Sequence, residues 1–171
     1  GEATIQGVEM ETTFLLGNWV FNASANYTDA SYDEYTATIV TPGQGESVVD
    51  RSAEPFALVP ETSYSFTAQY NWMSPVGLIV PRLSLYHRDE LFTGIDFLAV
   101  EYGSSTVDKL TLVNARLNYF PSEKLRVSAY VDNLTDEDYF KSGFAVSALL
   151  GAATLVQGTA RTFGMEFSYD F

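Results

Sequence analysis

The feature that most constrains this chain is a two-residue period. Tyr64, Phe66, Ala68, Tyr70 and Trp72 alternate with Ser65, Thr67, Gln69 and Asn71. An extended chain sends successive side chains to opposite faces, so this segment reads as a strand with one apolar and one polar side. The same rule sets Trp19, Phe21, Ala23, Ala25 and Tyr27 against Val20, Asn22, Ser24, Asn26 and Thr28. It returns at the end of the chain, where Phe163, Met165, Phe167, Tyr169 and Phe171 oppose Thr162, Gly164, Glu166, Ser168 and Asp170. Four further segments follow it less cleanly: Val8, Met10, Phe14 and Leu16 against Glu9, Glu11 and Thr13; Ile79, Leu83 and Leu85 against Arg82, Ser84 and Arg88; Val113, Ala115, Leu117 and Tyr119 against Asn114, Arg116 and Asn118; and Leu125, Val127, Ala129 and Val131 against Arg126, Ser128, Tyr130 and Asp132. Seven strands and no helix are expected. Their Tyr, Phe, Thr and Val content suits strands, and proline is confined to connections apart from Pro81.

The connections alternate in length. Residues 17–18, 73–77 and 120–124 are short, whereas 37–60, 93–108 and 142–159 are long. Antiparallel strands joined by tight turns at one end and long loops at the other form an up-and-down meander with two unlike ends, as in a membrane barrel. Gly17, Pro75 and Pro121 are therefore expected at one end and Gly43, Ser104 and Gly151 at the other. Mobility is expected to concentrate in residues 37–60.

Alternation by itself also fits a soluble secreted β-domain. The polar faces here are rich in Asn, Gln, Ser, Thr and Arg, as in a watered or plugged lumen, and the aromatics gather near strand ends, where membrane interfaces lie. Strands of about ten residues are also long for a sandwich, whose modal strand has about 5 to 6. On this reading Tyr64, Phe66, Tyr70, Trp72, Phe163, Met165, Phe167 and Tyr169 face lipid, while Ser65, Gln69, Asn71, Glu166 and Ser168 face the lumen. A formal charge of −13, from 9 basic and 22 acidic residues, repels phosphate backbones and excludes nucleic acid as a partner. With no cysteine, a single histidine (His87) and no G-x-S-x-G elbow, the chain offers no catalytic constellation.

Several motifs resemble the C-terminal β-barrel region of TonB-dependent outer-membrane receptors. Val131, Asp132, Asn133, Leu134, Thr135 and Asp136, followed by Tyr139, resemble that family's V-x-N-L-T/F-D-x-x-Y signature. Gly158, Arg161, Phe163 and Gly164 then lead into a last strand ending on an aromatic residue. Upstream, Gly7-Val8-Glu9, Tyr27-Thr28-Asp29-Ala30, Pro60-Glu61-Thr62 and Asn114-Ala115-Arg116 occur in the expected order. The resemblance implies an all-β transmembrane barrel segment: residues 1–171 as the C-terminal wall, about seven strands of the plugged class that has about 22. Nothing in the chain resembles the plug domain or the energy-coupling box, so the expectation is part of a larger protein. The implied function is import of a scarce ligand, of siderophore-iron, corrinoid or glycan type, across the bacterial outer membrane with TonB-coupled energy. The implied partners are outer-membrane lipid, the rest of the barrel and its plug, TonB through the missing N-terminal part, the barrel assembly machinery and an unidentified small ligand. The alternatives are a small outer-membrane pore or adhesin-like barrel complete in itself, and the secreted β-domain. No cofactor and no enzymatic activity are implied.

Three groups of residues are candidates for function. Glu9, Glu11, Arg82, Arg88, Arg116, Arg126 and Glu166 form a mixed-sign wall on the polar faces, suited to a plug or a passing substrate, with ordinary cross-strand pairing as the simpler account of any one pair. Gly164, Phe167, Tyr169 and Phe171 resemble the C-terminal signal read by the assembly machinery. Asn133 and Asp136 suit an Asx turn, and the acidic runs around Asp132–Asp138 and Asp29–Glu34 lack calcium-loop spacing, so no metal site is expected. Residues 142–159 are unusually apolar for a loop and are expected to form a hairpin around Gly151, or else a cover over a ligand site.

Overall fold

The computed structural model describes every residue except 42–44, 94–105 and 147–151. The described residues contain no helix and fourteen strands, numbered in chain order. Seven make one continuous antiparallel path: β1 (Glu2–Leu16), β2 (Trp19–Glu34), β5 (Thr62–Tyr70), β7 (Gly77–Arg88), β10 (Leu110–Ser122), β11 (Leu125–Asp132) and β14 (Thr162–Tyr169). They lie side by side in the order of the sequence, which is the expected meander. Three two-stranded hairpins occupy the long connections: β3 (Thr36–Thr41) with β4 (Gly45–Asp50), β8 (Leu91–Phe92) with β9 (Thr106–Val107), and β12 (Phe140–Val146) with β13 (Ala152–Gln157). The last pairs Ser142 with Val156 and Val146 with Ala152, so the apolar segment forms the expected hairpin. Gly43, Ser104 and Gly151 lie outside the described residues.

The register turns the alternation into rows. Phe14, Phe21, Ala68, Leu83, Ala115, Val131 and Phe163 stand opposite one another across all seven strands. One residue along, Thr13, Asn22, Thr67, Ser84 and Asn114 make the neighbouring row on the other face. From Val8, Tyr27, Tyr64 and His87 down to Leu16, Trp19, Trp72 and Tyr169, the apolar face carries no Asp, Glu, Lys or Arg. Its side chains are bare, with Phe163 81% and Phe167 72% exposed. A face of this size without charge or cover is what hydrocarbon requires and water penalises. Aromatics edge it at the short-turn end, where Trp19 meets Tyr70 at 4.8 Å, and at the other end, where Tyr64 stacks on His87 at 4.7 Å.

The strands run further than the alternation suggested. β1 and β2 stay paired up to Glu2 and Glu34, with one bulge next to Ala3. On these upper turns the polarity of the two faces reverses. Gln6 donates to Asp29 at 3.1 Å and Thr4 to Asp33 at 2.7 Å on the side that is apolar below, while Ala30 and Tyr32 take the opposite side. Charges reappear there because that part of the wall stands in water on both sides.

Expected residues 64–72 also divide into β5 and a short β6 (Trp72–Ser74). The cause is Pro81. Pairing with β7 stops at Gln69 opposite Arg82 and resumes, in unchanged register, at Trp72 opposite Ile79. Proline has no N–H to donate, so the ladder skips it without slipping. The short turns gather at one end as expected: Asn71 N–H donates to Asn18 O at 2.9 Å, Tyr119 O–H to Val76 O at 2.7 Å, and Asp170 N–H to Lys124 O at 2.9 Å. Gly17 and Gly77 turn with φ of 58° and 124°, values that side chains resist.

Candidate functional site

Four features stand on or beside the polar face. The first is the charged wall. Arg82 is opposite Gln69 on one side and Arg116 on the other, and Arg116 is opposite Tyr130. Two like charges facing each other need a counter-charge, and Arg116 finds it two strands away in Glu166. The Arg116 Nε–H also donates to Asn118 Oδ1 at 3.0 Å, and its guanidinium lies 5.6 Å from the Tyr130 ring centroid. Asn118 Oδ1 accepts a second bond, at 2.8 Å, from the fully buried Ser128. Arg82 and Arg126 have no hydrogen-bond or ion-pair partner among the described residues. Glu9 and Glu11 lie far along the sheet on β1, where with Ser24, Ser65 and Tyr86 they line a polar hollow of about 460 Å³. The wall is thus sorted by sign, acidic on the two outer strands β1 and β14 and basic on β7, β10 and β11 between them.

Arg88 departs from that wall. It is 5% exposed and donates to the carbonyls of Asp89 (3.0 Å), Asp108 (3.1 Å) and Phe140 (3.3 Å). It closes off the top of β7 beneath two long connections and pairs with no carboxylate among the described residues.

The second feature is a clasp made by the signature residues. Asn133, 4% exposed with φ 52°, accepts at Oδ1 from Glu137 N–H (2.9 Å) and donates from Nδ2 to Glu137 O (2.9 Å) and Thr159 O (3.2 Å). Its own N–H donates to Asn114 Oδ1 at 2.8 Å. Asp136, with φ 58°, accepts from Arg161 N–H at 3.2 Å and from its guanidinium at 3.1 Å, and Arg161 also reaches Leu134 O at 3.4 Å. Tyr139 lies over Gly158, where a Cβ would overlap its ring. Leu134 N–H donates to Val113 O at 2.7 Å, and Thr135 sits in the turn between. The expected Asx turns differ in detail: Asn133 Oδ1 closes its turn on Glu137 N–H, four residues on rather than two, and the Asp136 carboxylate goes to Arg161 instead of its own turn, a reach, like that to Thr159, not legible from local spacing.

The third is the last strand. Gly164 is opposite Tyr130, whose ring occupies the space of the missing side chain. Phe167 and Tyr169 are on the apolar face, and Phe171 meets Tyr169 edge-on at 5.3 Å. The β14 backbone is bonded on one side only among the described residues.

The fourth was not foreseen. Residues 51–61 fold back over the polar face at the long-connection end: Arg51, 8% exposed, pairs with Glu54 at 2.7 Å, and Leu58 N–H donates to Phe92 O at 2.8 Å. Phe92, Val107 and Leu110 are buried there. Phe56 stacks on Tyr32 at 4.3 Å, and Tyr32 on Tyr35 at 4.7 Å. Below this lid lies a cavity of about 240 Å³, bounded by Thr28 and Ala30 of β2 and by Phe56, Val59, Glu61, Glu90 and Phe92.

A larger hollow of about 850 Å³ lies on the apolar face, between small residues such as Ala68, Ala115 and Ala129 and the bulkier Leu83 and Leu117. Few polar groups converge on it, so it offers packing without chemistry. Among the described residues no three acidic or histidine side chains gather as a metal site.

An antiparallel meander with an uncharged outer face, a polar inner face and unlike ends is the wall of a transmembrane β-barrel. The TonB dependent receptor-like β-barrel family matches residues 1–134, and the chain belongs to that family. Its members are outer-membrane receptors and transporters of Gram-negative bacteria, not enzymes. Solved structures agree in fold. The ferric yersiniabactin uptake receptor FyuA of Yersinia pestis is 18% identical with a TM-score of 0.76, over 99% of this chain and 24% of that one. The ferripyoverdine receptor of the outer membrane of Pseudomonas aeruginosa is 15% identical with a TM-score of 0.62, over 99% and 20%. The ferric-catecholate import receptor Fiu of E. coli K12 is 16% identical with a TM-score of 0.58, over 99% and 28%. This chain therefore spans about a quarter of the length of these proteins. A search of curated proteins finds no match.

Proposed function

We propose that residues 1–171 form the C-terminal wall of an outer-membrane active transporter that imports a scarce ligand, with a ferric chelate as the leading class, using energy delivered through TonB. Family membership carries the reading, and the ferric ligands after which the three structural relatives are named support the ligand class. In this role the polar face lines the lumen. Arg82 and Arg126, free of partners within the wall, are placed to meet a plug domain or a passing anionic group, while Arg116 and Glu166 satisfy each other. The mouth lies at the end where β3–β4, β8–β9 and β12–β13 stand. The clasp of Asn133, Asp136 and Arg161 holds the last long connection to the wall, and β14 with Phe167, Tyr169 and Phe171 presents an edge to the barrel assembly machinery.

The deciding experiment compares growth on limiting iron in cells with and without the gene, each with and without TonB. A gene-dependent advantage that vanishes without TonB is the expected result. An advantage that persists without TonB, together with passive entry of small solutes, would point to a simple pore and sink the reading.

A further inference from the structure

We propose that the mouth cavity beneath residues 51–61 is a subsite for an organic cation, so that the ligand presents an alkylammonium or similar group on an apolar body. This rests on the transporter reading for its physiological meaning, but the chemistry is that of the cavity itself. Its lining divides in two. Phe56, Val59 and Phe92, with Ala30, supply an apolar surface, and Glu61 and Glu90 supply two carboxylates, while the carboxylate of Asp29, also on the lining, is taken up by Gln6. Among the described residues neither glutamate carboxylate has a hydrogen-bond or ion-pair partner, and no lysine or arginine lines the cavity. The nearby cations are already engaged: Arg51 pairs with Glu54, and Arg88 spends its donors on three carbonyls.

The backbone that carries the two glutamates is fixed by the fold. Glu61 follows the loop and bonds through its carbonyl to Thr28 N–H at 2.8 Å, and Glu90 follows the top of β7, where Asp89 N–H donates to Thr62 O at 2.9 Å. Phe56 is likewise pre-positioned, since Tyr32 stacks on it at 4.3 Å and is itself backed by Tyr35 at 4.7 Å. A cation entering here gains two counter-charges and an aromatic face without reorganising the wall. An anion meets two uncompensated carboxylates in a chain of net charge −13. A volume of about 240 Å³ suits one such head group and excludes a whole chelate.

The test uses the protein as made in cells, purified in detergent, with two isosteric probes: benzyltrimethylammonium and benzylsulfonate. Binding is followed by saturation-transfer NMR. The cation is expected to bind at millimolar concentration and the sulfonate not to bind. Glu61→Gln with Glu90→Gln should weaken the cation about three- to tenfold, and Phe56→Ala should weaken it independently. Equal binding of the two probes, no binding of the cation, or cation binding untouched by the double Gln variant each overturn the proposal. Such results leave TonB-dependent growth intact if the transporter reading holds, whereas loss of TonB dependence with cation binding preserved would sink that reading alone.

Discussion

Replacing Asn133 tests whether the signature clasp is a structural device. The residue is 4% exposed and its side chain makes three hydrogen bonds, at 2.9, 2.9 and 3.2 Å. A typical buried bond contributes about 0.5–1.5 kcal/mol net, so removing three costs roughly 1.5–4.5 kcal/mol. Its φ of 52° adds a separate cost of about 1–2 kcal/mol for alanine, which glycine escapes in exchange for about 0.5–1 kcal/mol of chain entropy. Asn133→Gly should therefore destabilise by roughly 2–5.5 kcal/mol and Asn133→Ala by about 0.5–1 kcal/mol more. Because the clasp ties residues 134–137 to Thr159 and Arg161, the loss should be local. Hydrogen exchange followed by mass spectrometry in detergent should show faster exchange at Leu134, Glu137 and Arg161, with β1–β2 unchanged. A glycine variant with wild-type protection would refute the hydrogen-bond account, and equal behaviour of the two variants would refute the backbone account.

Four further outcomes are expected. Leu83→Arg, on the apolar face, should cost about 2–4 kcal/mol of folding free energy in lipid vesicles, against less than about 1 for Ser84→Arg one residue along; equal costs would refute the assignment of faces. Gly164→Ala drives a Cβ into the Tyr130 ring and should destabilise by about 1–3 kcal/mol, and Tyr130→Ala in the same chain should recover much of it in a double-mutant cycle. Deleting Phe171 or changing Tyr169 to Asp should reduce outer-membrane insertion in cells more than it lowers the melting temperature of folded protein; normal yield with earlier melting would leave only an anchoring role. The Asp50 carboxyl lies below its ordinary value because the Ser52 N–H and hydroxyl both donate to it. The stabilisation from that depressed value is present above the unfolded-state pKa and is lost as pH falls through the folded one, and Ser52→Ala should move the NMR-monitored titration upward.

The sheet was legible because lipid on one face and polar surroundings on the other impose a period of two on every spanning segment. The reading ended β2 at Thr28 because the alternation of Trp19 to Thr28 inverts above that point: Asp29, Ser31 and Asp33 take the formerly apolar parity and Ala30 and Tyr32 the polar one. With water on both sides, nothing enforces the earlier pattern. That inversion hid the β2 wall of the mouth cavity at Thr28 and Ala30, whose other walls come from residues 55–61, 90–92 and 106 and meet only through tertiary folding. Arg88 was grouped with the wall charges because parity alone cannot tell an exposed guanidinium from one enclosed by carbonyls. The seven-strand reading missed β6 for a different reason, since Pro81 acts on the partner strand and leaves no trace in the sequence of residues 64–72. The turn at Asn133 was visible because it closes within five residues, by Asp136 N–H to Asn133 O and Glu137 N–H to Asn133 Oδ1.

The sequential order of the wall bears on how such a protein can change over generations. Each strand of the path pairs only with its neighbours along the path, apart from the short β6 beside β7, so lengthening a connection alters one loop closure and leaves the ladder of the wall unchanged. Closure entropy grows with the logarithm of loop length, about 0.6 kcal/mol for each doubling. At the mouth, where β12 and β13 already sit within one connection, insertions are cheap in stability while they reshape what the opening presents. At the opposite end Gly17 and Gly77 work only in their own conformations, and an inserted residue there would throw the lipid-facing row out of phase. One rim of the wall is thus free to diversify and the other is held in place.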